Sequence, residues 1–146
     1  MARKDITTLE ELIDYIPEYT KLEQGWDGYG GDVITPLAVH QAQIYLRDVM
    51  PKDLPLPWSA PSADGAVNID WEFSDNKDFH IWFMFQDSGP SCFLSDRELG
   101  EIEVNRKGKV IYEFGRAEKL MGQTVDMFEI VKPYYDRLRQ IVKEKK

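Results

Sequence analysis

Val67-Asn68-Ile69-Asp70-Trp71-Glu72-Phe73 and, a short way on, Phe79-His80-Ile81-Trp82-Phe83-Met84-Phe85 are the stretches that set the fold. In both, large apolar side chains return at every second position, a period that an extended strand turns into one continuous face. The alternate residues of the first stretch are Asn68, Asp70 and Glu72, which make it a half-buried strand with a polar outer face. Those of the second, His80, Trp82 and Met84, are bulky, so that strand reads as buried on both faces and central in its sheet. Ser74-Asp75-Asn76-Lys77 reads as the turn between them.

Toward the C-terminus, Asp87-Ser88-Gly89-Pro90 turns into a short strand around Cys92 to Leu94. Ile102 to Val104 and Val110 to Phe114 then flank Asn105-Arg106-Lys107-Gly108, a hairpin loop with its glycine last. Thr124 is placed to cap a final helix that carries Met127, Val131, Tyr134 and Leu138 on one side and bends at Pro133.

Toward the N-terminus, the prolines between Pro51 and Pro61 predict an extended connection without regular pairing. Before it, Thr35-Pro36 sets an N-cap and first turn for a helix running to about Met50. Thr7-Thr8-Leu9-Glu10 reads as a capping box, with Leu9, Leu12, Ile13 and Ile16 on one helical face until Pro17. The expected architecture is α+β: two N-terminal helices, an antiparallel meander of about five strands, and a C-terminal helix packed on the sheet. A single domain over 1–146 is expected, with adjacent pairing the default and the Ser95 to Gly100 link leaving strand order open.

Composition narrows the function classes. The hydrophobic share of 42% is enough for a packed core, and one cysteine allows no intrachain disulfide, which points to a reducing, cytoplasmic setting. The charged start Met1-Ala2-Arg3-Lys4-Asp5 lacks the apolar core of a secretory signal, and no apolar run is long enough for a membrane span. A net charge of −8 repels phosphates and anionic lipid, so neither nucleic acid nor membrane is an expected partner. Arg137, Arg139, Lys143, Lys145 and Lys146 read as solvated helix-end cations, with a basic binding patch as the alternative.

No catalytic pattern emerges. The two histidines, His40 and His80, fall on different elements, no Gly-x-Ser-x-Gly elbow exists, and Cys92 reads as a buried strand residue. The ligand types for zinc are present without zinc spacing, so neither metal nor cofactor is expected. Asp70 and Glu72, two apart on one strand, share its polar face, either as solubilising acids or as a pair able to bracket a cation. Gly25-Trp26-Asp27-Gly28-Tyr29-Gly30-Gly31 lacks the lysine of a phosphate-binding loop, and its acids would repel phosphate. Trp26 and Tyr29 can pin that loop to the core or anchor a partner on a glycine hinge.

The run Gly25-Trp26-Asp27-Gly28-Tyr29-Gly30, followed by the Pro36 helix start, Pro61-Ser62-Ala63-Asp64-Gly65 and Val67-Asn68-Ile69-Asp70-Trp71-Glu72, resembles a group of small bacterial and phage proteins with no assigned activity. They carry a Trp-Asp-Gly-Tyr-Gly-Ala-like motif, then Pro-Asp-Gly and a Leu-Glu-Trp-like strand. The resemblance covers roughly residues 20 to 85, and the chain departs from it at Gly31 and at Ser62-Ala63. It implies a bacterial or phage origin and no activity.

The resulting expectation is a non-enzymatic protein-binding module, such as an immunity-like, antitoxin-like or inhibitor protein of a two-gene module. Its partner is a protein with a basic surface, and Trp26, Asp27, Tyr29, Asp70 and Glu72 are the candidate contacts. Two other readings stand beside it: a small hydrolase or nuclease using Asp70, Glu72 and Asp27 around a divalent cation, and an acidic mimic of nucleic acid.

Overall fold

A computed structural model describes residues 6–73 and 76–145. The expected charged start, Met1 to Asp5, and the first half of the expected turn, Ser74 and Asp75, lie outside those residues. The chain is α+β, and its described residues form six strands in a single antiparallel meander, each paired with its sequence neighbours. They are β1 (Trp58–Pro61), β2 (Val67–Phe73), β3 (Asn76–Gln86), β4 (Gly89–Asp96), β5 (Gly100–Val104) and β6 (Val110–Phe114). The Ser95 to Gly100 link makes a tight turn between neighbouring strands and does not cross the sheet.

The sixth strand, β1, corrects the sequence reading. Its prolines argued against pairing, but β1 lies at the sheet edge, where a missing N–H costs no ladder bond, and Pro61 sits opposite Val67 at its end. Ser59 is drawn inward, where its hydroxyl lies 3.1 Å from that of Tyr19.

Helix α1 (Leu9–Tyr15) starts one residue later than the expected box: Thr8 is the N-cap and Glu11 the reciprocating acid. Both threonines can precede the glutamate, and Glu11 also accepts from the Thr7 N–H at 3.2 Å. Pro17 tightens the following turns to a 3-10 helix over Ile16–Lys21. Helix α2 (Pro36–Ile44) is capped by Thr35 as expected and continues as a π-helical turn, Tyr45–Val49, closed by the Met50 N–H on the Tyr45 carbonyl at 2.8 Å. Asp126, not Thr124, caps the C-terminal helical part, because Thr124 bridges to Lys109 beside β6. Pro133 divides that part into α3 (Met127–Ile130) and α4 (Lys132–Glu144), where it occupies a first-turn position that needs no N–H. No described helix is long and apolar enough to cross a membrane.

The period-2 pattern decides the layering. One row of partners, Ser59, Ile69, Phe83, Cys92, Val104 and Val110, runs straight across all six strands and is buried throughout. Helices α2 and α4 pack on this side, where Tyr45 meets Phe83 and Phe85, and Trp71 meets Tyr135 edge-on. The opposite face of β3 is not covered as expected. His80, Trp82 and Met84 are half-buried by their neighbours within the sheet.

A buried ion pair fixes α4 to the sheet. The Asp96 side chain, 1% exposed, accepts from Arg137 Nε at 3.1 Å and from the backbone N–H groups of Glu98 and Leu99. Removing one member leaves the other's charge without compensation in a half-dry site. Asp96→Ala is expected to lower stability by about 3 kcal/mol, read as a reduced urea midpoint at unchanged slope.

Candidate functional site

The candidate residues named from sequence fall into two places. The glycine-rich loop is held by its own side chains. The Trp26 indole N–H donates to the Asp32 carbonyl at 2.8 Å, and Asp27 Oδ1 accepts from the backbone of Tyr29 at 2.9 Å and of Gly31 at 2.7 Å. These two N–H bonds hold the Asp27 carboxyl below its ordinary range. Gly31 is required by close approach: a Cβ there would lie 2.8 Å from Asp27 Oδ1 and 3.0 Å from the Trp26 indole nitrogen. The alanine implied by the resemblance would therefore displace the carboxylate. The backbone of Asp32 in turn bonds to Ala63, which sets the loop beside the β1–β2 turn. Trp26 and Asp27 thus hold the loop together, while Tyr29 stands 93% exposed at its tip.

Asp70 and Glu72 lie elsewhere, in the second half of β2, and neither hydrogen bond nor ion pair joins them to the loop among the described residues. Their surroundings are the uncovered sheet face. Register puts Trp58, Asp70, Trp82, Phe93, Glu103 and Tyr112 side by side across six strands. A second row holds Glu72, His80, Ser95, Glu101 and Phe114. Trp58 is 60% and Phe114 68% exposed.

The face is internally bonded. His80 stacks on Trp82 with 5.5 Å between ring centres and meets Phe93 edge-on. Its Nε2 lies 3.2 Å from Asp70 Oδ2 and its Nδ1 3.5 Å from Glu72 Oε2. A neutral imidazole has one N–H and so donates to one of these carboxylates at a time. Trp82 donates to Asn68, and Tyr112 to Glu101 at 2.8 Å. Asp70 Oδ1, shielded from solvent, meets no hydrogen-bond donor among the described residues.

No lysine or arginine stands at the described strand positions of these two rows. Arg97 and Arg106 mark opposite ends of the face, the first paired with Asp78, the second bonded to Gln86 and Ser88. The arrangement is a broad acidic surface studded with aromatic rings. Among the described residues, no three side chains of the metal-binding types gather closely enough to hold an ion. Asp27, which the cation reading grouped with Asp70 and Glu72, spends its carboxylate on its own loop.

Sequence reasoning reached Asp70 and Glu72 but not Trp58, Trp82, Phe93, Glu101, Glu103 or Tyr112. The signal was present as parity on β2 to β5, where acids and aromatics share the phase opposite the core row; on β6 the register shift beside Val104 puts Tyr112 and Phe114 on that face although they are in phase with buried Val110. Compared with known protein families, with curated proteins and with solved structures, the chain matches none.

Two outcomes follow from this geometry. Burial pushes the Cys92 thiol up to about 12, so the native protein should resist a thiol reagent at pH 8 and react once unfolded in denaturant. Because the Asp27 carboxyl is depressed, its hold on the loop is complete above the ordinary aspartate range and lost as pH falls through the lower, folded value. The Tyr29 and Gly31 amide resonances should report that acid transition, and Asp27→Asn should abolish it.

Proposed function

We propose that this chain is a non-enzymatic binding protein that docks its open sheet face on a basic surface of a partner protein, as an immunity-, antitoxin- or inhibitor-type member of a bacterial or phage two-gene module would. The observation that carries the reading is the face itself: Asp70, Glu72, Glu101 and Glu103 lie among exposed aromatic rings, with no cation at the described strand positions between them. Aromatic rings supply desolvated anchors at low entropic cost, and a one-signed field speeds encounter with an oppositely charged surface.

The same charge argues against the other occupants. With a net charge of −8, a second copy would set like charges against like, and phosphates would be repelled. The acidic outer side of α1, with Glu10, Glu11 and Asp14, and the exposed tip at Tyr29 are secondary contacts in this reading. Trp26 and Asp27 serve by keeping that tip in place.

Titration of the labelled protein with oligolysine tests the surface. Amide shifts are expected to concentrate on β2, β5 and β6 around Asp70, Glu72, Glu101, Glu103 and Tyr112. They should vanish between about 0.1 M and about 1 M salt, as the screening length contracts from about 10 Å to about 3 Å. Shifts spread evenly over all acidic residues, or confined to the helices, would overturn the assignment.

A further inference from the structure

His80 stands where the two acids of β2 meet the aromatic part of the open face. Its half-buried ring is stacked on Trp82 and edge-on to Phe93, with Asp70 Oδ2 3.2 Å from Nε2 and Glu72 Oε2 3.5 Å from Nδ1. Among the described residues, this imidazole is the one donor within hydrogen-bond reach of the Asp70 side chain, whose other oxygen is shielded and meets none. On β4 the ring has Ser95 as its cross-strand partner, whose hydroxyl donates to the Asp78 carbonyl and lies 3.5 Å from Glu101 of β5. The Asp78 carboxylate, two residues back on β3, is paired with Arg97. The charges nearest the ring are therefore the two β2 acids. A neutral imidazole has an N–H for one of them, and an imidazolium has one for each.

Resting on the reading above, we propose that His80 is a proton-operated clamp on the docking face, which in its imidazolium form holds Asp70 and Glu72 together and weakens the hold on a basic partner. The ring takes one proton from solvent, the face loses one unit of negative charge, and both carboxylates are drawn to the ring and away from an incoming cation. When the ring is neutral, Glu72, the more exposed of the two acids, is released to the partner. Histidine is the side chain whose charge ordinarily changes between about pH 5 and about pH 8, a window in which ordinary carboxylates stay charged. The other histidine, His40, is exposed on α2, which packs on the opposite side of the sheet, and so provides a control.

Oligolysine, charged throughout this window, is titrated against the intact chain at about pH 8 and about pH 5.5 at one ionic strength, with amide and ring C–H resonances as readout. The wild type is expected to bind about fivefold more weakly at the lower pH, the worth of one unit charge at close range in water. His80→Gln should bind equally at both, and His40→Gln should keep the wild-type difference. In the free chain, the Trp82 indole and the Glu72 amide should follow the His80 ring through one shared transition, a readout that needs neither variant nor peptide. Equal wild-type affinity at the two pH values, with the peptide on the face, overturns the clamp and leaves the docking surface standing. A His80→Gln chain that keeps the wild-type difference does the same. If the peptide leaves the face unshifted at both pH values, the docking reading fails and the free-chain transition decides the clamp: Trp82 and Glu72 resonances that do not follow His80 overturn it.

Discussion

Tyr45 is the point at which the helical layer and the sheet become one body. Its ring lies 4.9 Å from that of Phe83, 5.5 Å from that of Phe85 and 5.9 Å from that of Phe128, and its hydroxyl sits 2.5 Å from the hydroxyl of Tyr135 on α4. A buried phenol must find a hydrogen-bond partner, and here one of the two tyrosines donates its O–H and the other's oxygen accepts it. Burial accordingly drives both hydroxyls above their ordinary range. The π-helical turn that starts at Tyr45 presents that ring at the junction of α2, α3 and the sheet. Since α1 packs on the 3-10 segment and on the π-helical turn that carries Tyr45, the N-terminal helices depend on this junction too.

With its apolar side satisfied in this way, the sheet has no described helix left for its second face. That face holds itself together by lateral contacts, the His80–Trp82 stack, the Trp82–Asn68 bond and the Tyr112–Glu101 bond, each linking neighbouring strands or positions on one strand. Cross-strand pairs of this kind are worth a few tenths to about 1 kcal/mol each, enough to order side chains without covering them. The side chains of the face are therefore ordered by contacts within the sheet itself.

The core-facing half of the fold was plain in the chain because a strict alternation leaves only one way to bury Val67, Ile69, Trp71, Phe79, Ile81, Phe83 and Phe85 together. Errors arose where two local rules competed. Prolines 55, 57 and 61 outweighed the alternation of Ser59 and Pro61 with Trp58 and Ala60, so β1 read as linker. Thr7 and Thr8 both satisfy the chemistry of a cap, and Thr124, read as the last helix's cap, is held by a bridge to Lys109, which leaves the capping to Asp126. The crowding of His80, Trp82 and Met84 suggested burial by a second layer, whereas neighbouring aromatic side chains half-bury them. The candidate site was half legible for the same reason: Asp70 and Glu72 stand out on one strand, but a surface assembled from five strand pairings requires their register.

The two rims of the meander bear on how this protein behaves when crowded. Along one rim, β1 is four residues long, ends in Pro61 and is preceded by further prolines that have no N–H to offer. Along the other, the start of β6 is occupied by its own chain: Val110 donates to Gln123 and accepts from Gly122, and a register shift near Val104 distorts the ladder beside it. Strand-by-strand growth needs a long, flat, unoccupied rim, and neither side provides one. The molecule can thus carry Trp58, Ile111, Tyr112 and Phe114 in the open while being poorly suited to seed fibrils, so that stickiness on the broad side does not become templating along the edge.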